Sequence, residues 1–160
     1  QSVDSYDKVK DGMDISLIQY DLKTKSLKFA GANNPLLIVP KEYSESEKKL
    51  QYDKVDKRAI REIRADKQPV GFHSDMRSFT KHEVKVEEGE MLYMFSDGFM
   101  DQFGGEKGKK MKSLPFKKLL LSVSNYEMED QKSYLKDYFK NWKGDYAQLD
   151  DICVMGVKVG

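Results

Sequence analysis

Cysteine occurs once, histidine twice, tryptophan once and proline four times in 160 residues. A single thiol, Cys153, closes no internal disulfide, so nothing in the chain calls for an oxidising compartment and a cytoplasmic location is the expectation. Charge of one sign is also missing. With 28 Lys+Arg against 27 Asp+Glu, interspersed to a net charge of +1, there is no basic face to draw the chain to nucleic acid or to anionic lipid. Long hydrophobic runs are absent too: Met91–Phe95 and Leu36–Val39 fall far short of the roughly 20 residues that span a bilayer. Gln1–Asp7 lacks the basic start and apolar middle of a secretory signal. These absences leave about one domain's worth of near-neutral globular chain, 39% hydrophobic.

What is present alternates with period two. Ile15, Leu17 and Ile18 open an apolar run, Asp21–Lys25 reads as a polar turn, and Leu27 and Phe29 alternate as in a half-buried strand. Gly31–Pro35 breaks the ladder before a third strand, Leu36–Val39. Lys41–Lys57 is polar, with few apolar anchors, and reads as a long hairpin tip or loop. Ile60, Ile63 and Val70 suggest a short return strand and a turn, and Phe79–Val86 alternates into another strand. Met91–Phe95 is apolar on both faces, which predicts a strand buried on both sides at the centre of a sheet.

After the glycine-rich stretch Gly104–Gly108, two helices are expected. Pro115 suits the opening turn of the first, whose Phe116, Leu119, Leu120 and Val123 recur at helical spacing. Met128, Leu135, Tyr138 and Trp142 do so in the second, which Gly144 is placed to stop. Ile152–Val159 forms a last strand. The expected class is α+β: a layered, mostly antiparallel sheet arrangement with two helices inserted before the final strand, incomplete at its N-terminal side.

Acidic groups stand at the ends of two apolar strands. Asp97-Gly98 directly follows Met91–Ser96, and Asp150-Asp151 directly precedes Ile152–Val157. If these strands are antiparallel neighbours, both acidic groups meet at one sheet edge. Carboxylates gathered without basic partners resist ionisation, and a divalent cation relieves them. Hard oxygen donors favour Mg²⁺ or Mn²⁺, and Gly98 is expected to let the backbone turn away behind Asp97. An ordinary Asp-Gly turn and a solvated Asp pair explain the same residues without a metal.

Several segments, in order, carry a family resemblance: Asp11–Leu17, Phe29–Leu36, Lys67–Gly71, Gly89–Gly98 and Asp150–Ile152. The run Met91–Phe99 followed later by Asp150-Asp151 is the most specific part. Together they resemble the metal-dependent, protein phosphatase 2C-like (PPM) serine/threonine phosphatases, and within them the stage II sporulation protein E-like branch. The resemblance implies a β-sandwich flanked by helices with a two-metal Mn²⁺ or Mg²⁺ centre at one edge. It makes Asp97 and Asp150 metal ligands, with Gly98 and Asp151 beside them as further ligand or supporting positions. It also implies hydrolysis of phosphoserine or phosphothreonine in a signalling phosphoprotein by a metal-activated water.

Two departures stand out. Ala32 occupies a place where the family commonly has histidine. The family's N-terminal acidic Gly-Asp and Asp-x-x-Gly-His-Gly segments have no counterpart, so residues 1–160 are expected to be the C-terminal portion of one phosphatase domain, weak in metal binding and inactive alone. A non-catalytic signalling module that keeps this fold and binds a partner protein is the alternative. A sheet truncated in this way is also expected to favour self-association through its open edges.

Other residues take plainer readings. Asp11 and Asp14 could be ligands and Asn33 and Asn34 could touch a phosphate, but turns and strand starts account for all four; His73 and His82 lie on the surface, and Cys153 packs in a buried strand. Phe95, Phe99, Met100 and Phe103 read as core, with the rim of a substrate groove as the alternative for the part beyond Gly98. Lys107, Lys109, Lys110 and Lys112 form a solvated basic loop, of which Lys109 and Lys110 are candidates for docking a phosphoprotein substrate.

Overall fold

A computed structural model describes residues 12–41, 60–71 and 76–160. Within them the strands are β1 (Gly12–Met13), β2 (Ile15–Asp21), β3 (Ser26–Ala32), β4 (Leu36–Val39), β5 (Arg61–Ile63), β6 (Val70–Gly71), β7 (His82–Lys85) and β8 (Met91–Phe95). Helix α1 (Gly98–Asp101), β9 (Phe103–Gly104), β10 (Lys109–Lys110), α2 (Ser113–Val123), α3 (Met128–Lys143) and β11 (Val154–Lys158) complete the order. Asp11, His73 and residues 42–57 of the expected loop lie outside the described residues.

The two apolar runs become the interior of a four-stranded sheet of order β11-β8-β4-β5, antiparallel throughout. Their period of two distributes side chains to both faces. Leu36 and Ile38 of β4 and Leu92 of β8 join Leu27 and Phe29 of the three-stranded sheet β2-β3-β7 in one core. Leu37, Val39, Met91, Tyr93 and Phe95 point the other way, into a second core with Phe116, Leu120 and Val123 of α2 and Leu135 of α3. The layers therefore run sheet, sheet, helices, and the α+β expectation holds.

Local chemistry explains the connections. Asp21 Oδ1 accepts the N–H groups of Lys23 and Thr24 at 2.8 and 3.0 Å, which closes the β2–β3 turn. Gly144 ends α3 with φ 51° while its N–H bonds to the Lys140 carbonyl. Inside the helical layer, the Tyr93 hydroxyl donates to Gln131 Oε1 at 2.7 Å, and Gln131 Nε2 donates to the Tyr126 carbonyl at 2.9 Å. That buried polar link fixes α3 on β8, and burial pushes the Tyr93 phenol well above its ordinary pKa.

Three readings need correction. Cys153 is exposed rather than buried, because the ladder of β11 begins only at Val154. His82 is half-buried, its ring 6.0 Å from that of Phe29, because β7 pairs directly with β3. Lys109 and Lys110 form not a loop but one arm of a short hairpin with Phe103–Gly104. Gly104 lies so close to α3 that a Cβ there would sit 1.9 Å from the Trp142 carbonyl oxygen, so the hairpin is seated on the helix end.

Candidate metal centre

The antiparallel register decides where the acidic groups go. Val154 lies opposite Phe95, so the end of β8 and the start of β11 share one sheet edge. Asp97 leaves β8 and precedes α1, and Asp150-Asp151 approach from the other strand. Ser96 fastens the two: its N–H donates to the Cys153 carbonyl at 3.0 Å, its hydroxyl donates to the Asp151 carbonyl at 2.8 Å, and it accepts the Cys153 N–H at 2.9 Å.

Gly98 acts differently from its expected role. Its φ is not in the left-handed region; instead a Cβ would lie 2.4 Å from the Asp151 carbonyl oxygen. Glycine is required here for close approach, a tertiary reason rather than a turn.

The electrostatics follow the geometry. Asp97 has its pKa raised, first by desolvation, then by the neighbouring charges of Asp150 and Asp101, and last by that of Asp14. Asp14 belongs to the segment between β1 and β2, and its Oδ1 accepts from Asn33 Nδ2 at 2.7 Å. Asn33 itself sits at φ 58°, in the turn between β3 and β4. Asp150 Oδ1 accepts the Asp151 N–H at 2.7 Å, and the Asp150 carbonyl accepts from Gln148 Nε2 at 2.9 Å. A shallow polar depression of about 360 Å³ runs along Gln148, Leu149, Asp150 and Asp151. An apolar cleft of about 380 Å³ lies nearby between α3 and β11, over Tyr93, Leu135, Ile152 and Val154.

The paired lysines part company. Lys110 Nζ bonds Asp101 Oδ2 at 2.9 Å and lies 5.9 Å from the centre of the Phe103 ring. Lys109 is exposed on the same hairpin.

The expected pair Asp97 and Asp150 thus interact, with Gly98 and Asp151 in direct contact behind them. Asp14 and Asp101 are additional charges acting on Asp97. In sequence Asp14 reads as a strand start with a ligand role as the alternative, and in the fold it lies where β1 gives way to β2. Hard carboxylate oxygens, partly desolvated and repelling one another, suit Mg²⁺ or Mn²⁺. Among the described residues, no three His, Cys, Asp or Glu side chains form an ion-binding group.

Known proteins share this architecture. The SiaA-PP2C domain of Pseudomonas aeruginosa superposes with a TM-score of 0.74 at 23% identity, over 91% of this chain and 51% of that one. The PP2C phosphatase domain of SpoIIE from Bacillus subtilis, solved with a fragment of its regulatory domain, gives 0.63 at 18% identity over 91% and 37%. RsbX, solved in complex with magnesium, gives 0.56 at 9% over 93% and 57%. The chain therefore spans about half or less of the length of the first two, and at these identities the likeness establishes the fold. No curated protein matches the sequence. Among the described residues no helix is long and apolar enough to cross a membrane. The model of the stage II sporulation protein E (SpoIIE) family matches residues 6–160, and the chain belongs to that family.

Proposed function

We propose that residues 1–160 are the C-terminal portion of a single metal-dependent protein phosphatase domain. Its reaction is removal of phosphate from phosphoserine or phosphothreonine in a cytoplasmic signalling protein. The observation that carries this reading is the convergence of Asp97 and Asp150 at the end of antiparallel β8 and β11, where desolvation first and the Asp150 charge second raise the Asp97 pKa. Magnesium in the RsbX structure supports the choice of a hard divalent cation, Mg²⁺ or Mn²⁺.

Asp97 and Asp150 would hold the cation, with Asp151 alongside. Bound divalent cations in such a centre supply an activated water and neutralise charge on the phosphoryl oxygens. Asp97 and Asp150 bring anionic oxygens to the edge, and Ser96 and Gly98 hold the two strand ends together. Lys109, exposed on the β9–β10 hairpin, would offer a positive charge to an anionic substrate, while Lys110 offsets Asp101. Two carboxylates hold a cation more loosely than a complete centre, so this portion alone is expected to turn over little.

The test is Mn²⁺-dependent hydrolysis of a phosphoserine peptide by the complete domain, with Asp97→Asn as control. Turnover that requires Mn²⁺ and disappears in the variant is the expected result. In that active domain, replacing Lys109 and Lys110 by Ala should raise KM several-fold with kcat unchanged; an unaltered KM removes the docking role.

A second reading is a non-catalytic module that binds a partner protein. It draws on the lack of a three-residue ion-binding group among the described residues. A folded, complete domain without turnover would favour it. Self-association of this portion is also proposed, supported by exposed Met13, Ile15 and Leu17 on the outer side of β1 and β2.

A further inference from the structure

We propose that Ser96, with the bare Cα of Gly98 opposite, is a positioning residue that sets where Asp150 stands relative to Asp97; this rests on the metal reading of those two carboxylates. The ladder between β8 and β11 ends at Phe95 and Val154, one residue short of Ser96 and three short of Asp151. Beyond the ladder the Ser96 N–H holds the Cys153 carbonyl at 3.0 Å, and without the Ser96 hydroxyl residues 150–152 would be free to splay away from Asp97. Ser96 continues the attachment beyond it.

One hydroxyl makes both bonds that matter: it donates to the Asp151 carbonyl at 2.8 Å and accepts the Cys153 N–H at 2.9 Å. It therefore spans the backbone just downstream of Asp150. From the other side, Gly98 admits the Asp151 carbonyl oxygen to within 2.4 Å of where a Cβ would be. The peptide carbonyl between Asp151 and Ile152 is held between a hydroxyl donor and a glycine, both of which flank Asp97 in sequence. Any shift of the Asp150 segment must break the Ser96 bonds or move away from Gly98. A hydroxyl is needed for the double role, since a methyl group neither donates nor accepts.

Groups that orient metal ligands without touching the metal typically contribute about 10–100-fold to metal affinity. The experiment compares the 160-residue wild-type chain with Ser96→Ala, Ser96→Thr and Asp97→Asn. Mn²⁺ affinity is read from paramagnetic broadening of amide resonances, and clamp integrity from hydrogen exchange at the Cys153 amide.

Ser96→Ala is expected to weaken Mn²⁺ binding about tenfold and to speed exchange at Cys153, with the remaining core amides unchanged. Ser96→Thr, which keeps the hydroxyl, should restore both. Wild-type Mn²⁺ affinity in Ser96→Ala, with binding still abolished in Asp97→Asn, overturns the positioning role while the metal reading stands. Failure of the wild-type chain itself to bind Mn²⁺ overturns the metal reading, and the positioning role with it. If Ser96→Ala loses protection throughout the core, the Thr variant decides: reduced Mn²⁺ affinity in a folded Ser96→Thr also overturns the role.

Discussion

Asp97 shows how a single residue records its surroundings. Desolvation and the charges of Asp150, Asp101 and Asp14 raise its pKa in the folded chain. A carboxyl whose folded pKa is raised favours the fold while protonated, below its unfolded value, and that contribution is lost as pH rises through the folded value. At neutral pH the ionised Asp97 is therefore a cost. Asp97→Asn should raise the melting temperature of the metal-free chain at pH 7, with the gain fading as the buffer is made acidic. A lower melting temperature at pH 7 would contradict the electrostatic picture. Gly98 makes a different point at this scale. Its place after a strand end is legible as a turn, but the demand for glycine comes from Asp151, a residue far away in the chain, and no local pattern announces it.

At the scale of elements, the strands with the strongest patterns were the most legible. Apolarity on both faces of Met91–Phe95 announces a central strand, and the structure places β8 between β11 and β4. The helices over 113–123 and 128–143 follow their apolar spacing and their Pro115 and Gly144 signals. Strand ends were less legible. The apolar run suggests a strand from Ile152, whereas pairing begins at Val154 because Ser96 takes over the contacts of Cys153. Cys153 is thereby left exposed. Polar links across elements are invisible to periodicity altogether: Gln131 on the inner face of α3 looks like an interruption, yet it ties the helix to β8 through Tyr93. Tyr93→Phe leaves the buried Gln131 Oε1 without that donor and should destabilise the chain by about 1–3 kcal/mol in urea unfolding. A neutral outcome would show that the link contributes nothing net.

On the scale of the whole molecule, two cores share one sheet, and one acidic edge emerges where central β8 ends and outer β11 begins. The convergence of Asp97 and Asp150 was legible from two motifs once antiparallel pairing was granted. Asp14 was legible only as an alternative to a strand start, and its bond from Asn33, in the turn between β3 and β4, was not. Part of the molecule also faces outward without cover: Leu17 is 64% exposed and Met13 56%. Exposed apolar side chains on an edge strand invite association. Leu17→Lys should lower the apparent mass of this chain at high concentration in light scattering, and a strictly monomeric wild type would remove the idea.

The central claim is that Asp97 and Asp150 jointly hold a divalent cation, and the most direct measurement is Mn²⁺-induced broadening of the amide resonances of the 160-residue chain. Broadening centred on Asp97-Gly98 and Asp150-Asp151 is expected in the wild type, and its loss in both Asp97→Asn and Asp150→Asn. Broadening that persists in both variants, or that centres elsewhere on the surface, would contradict it.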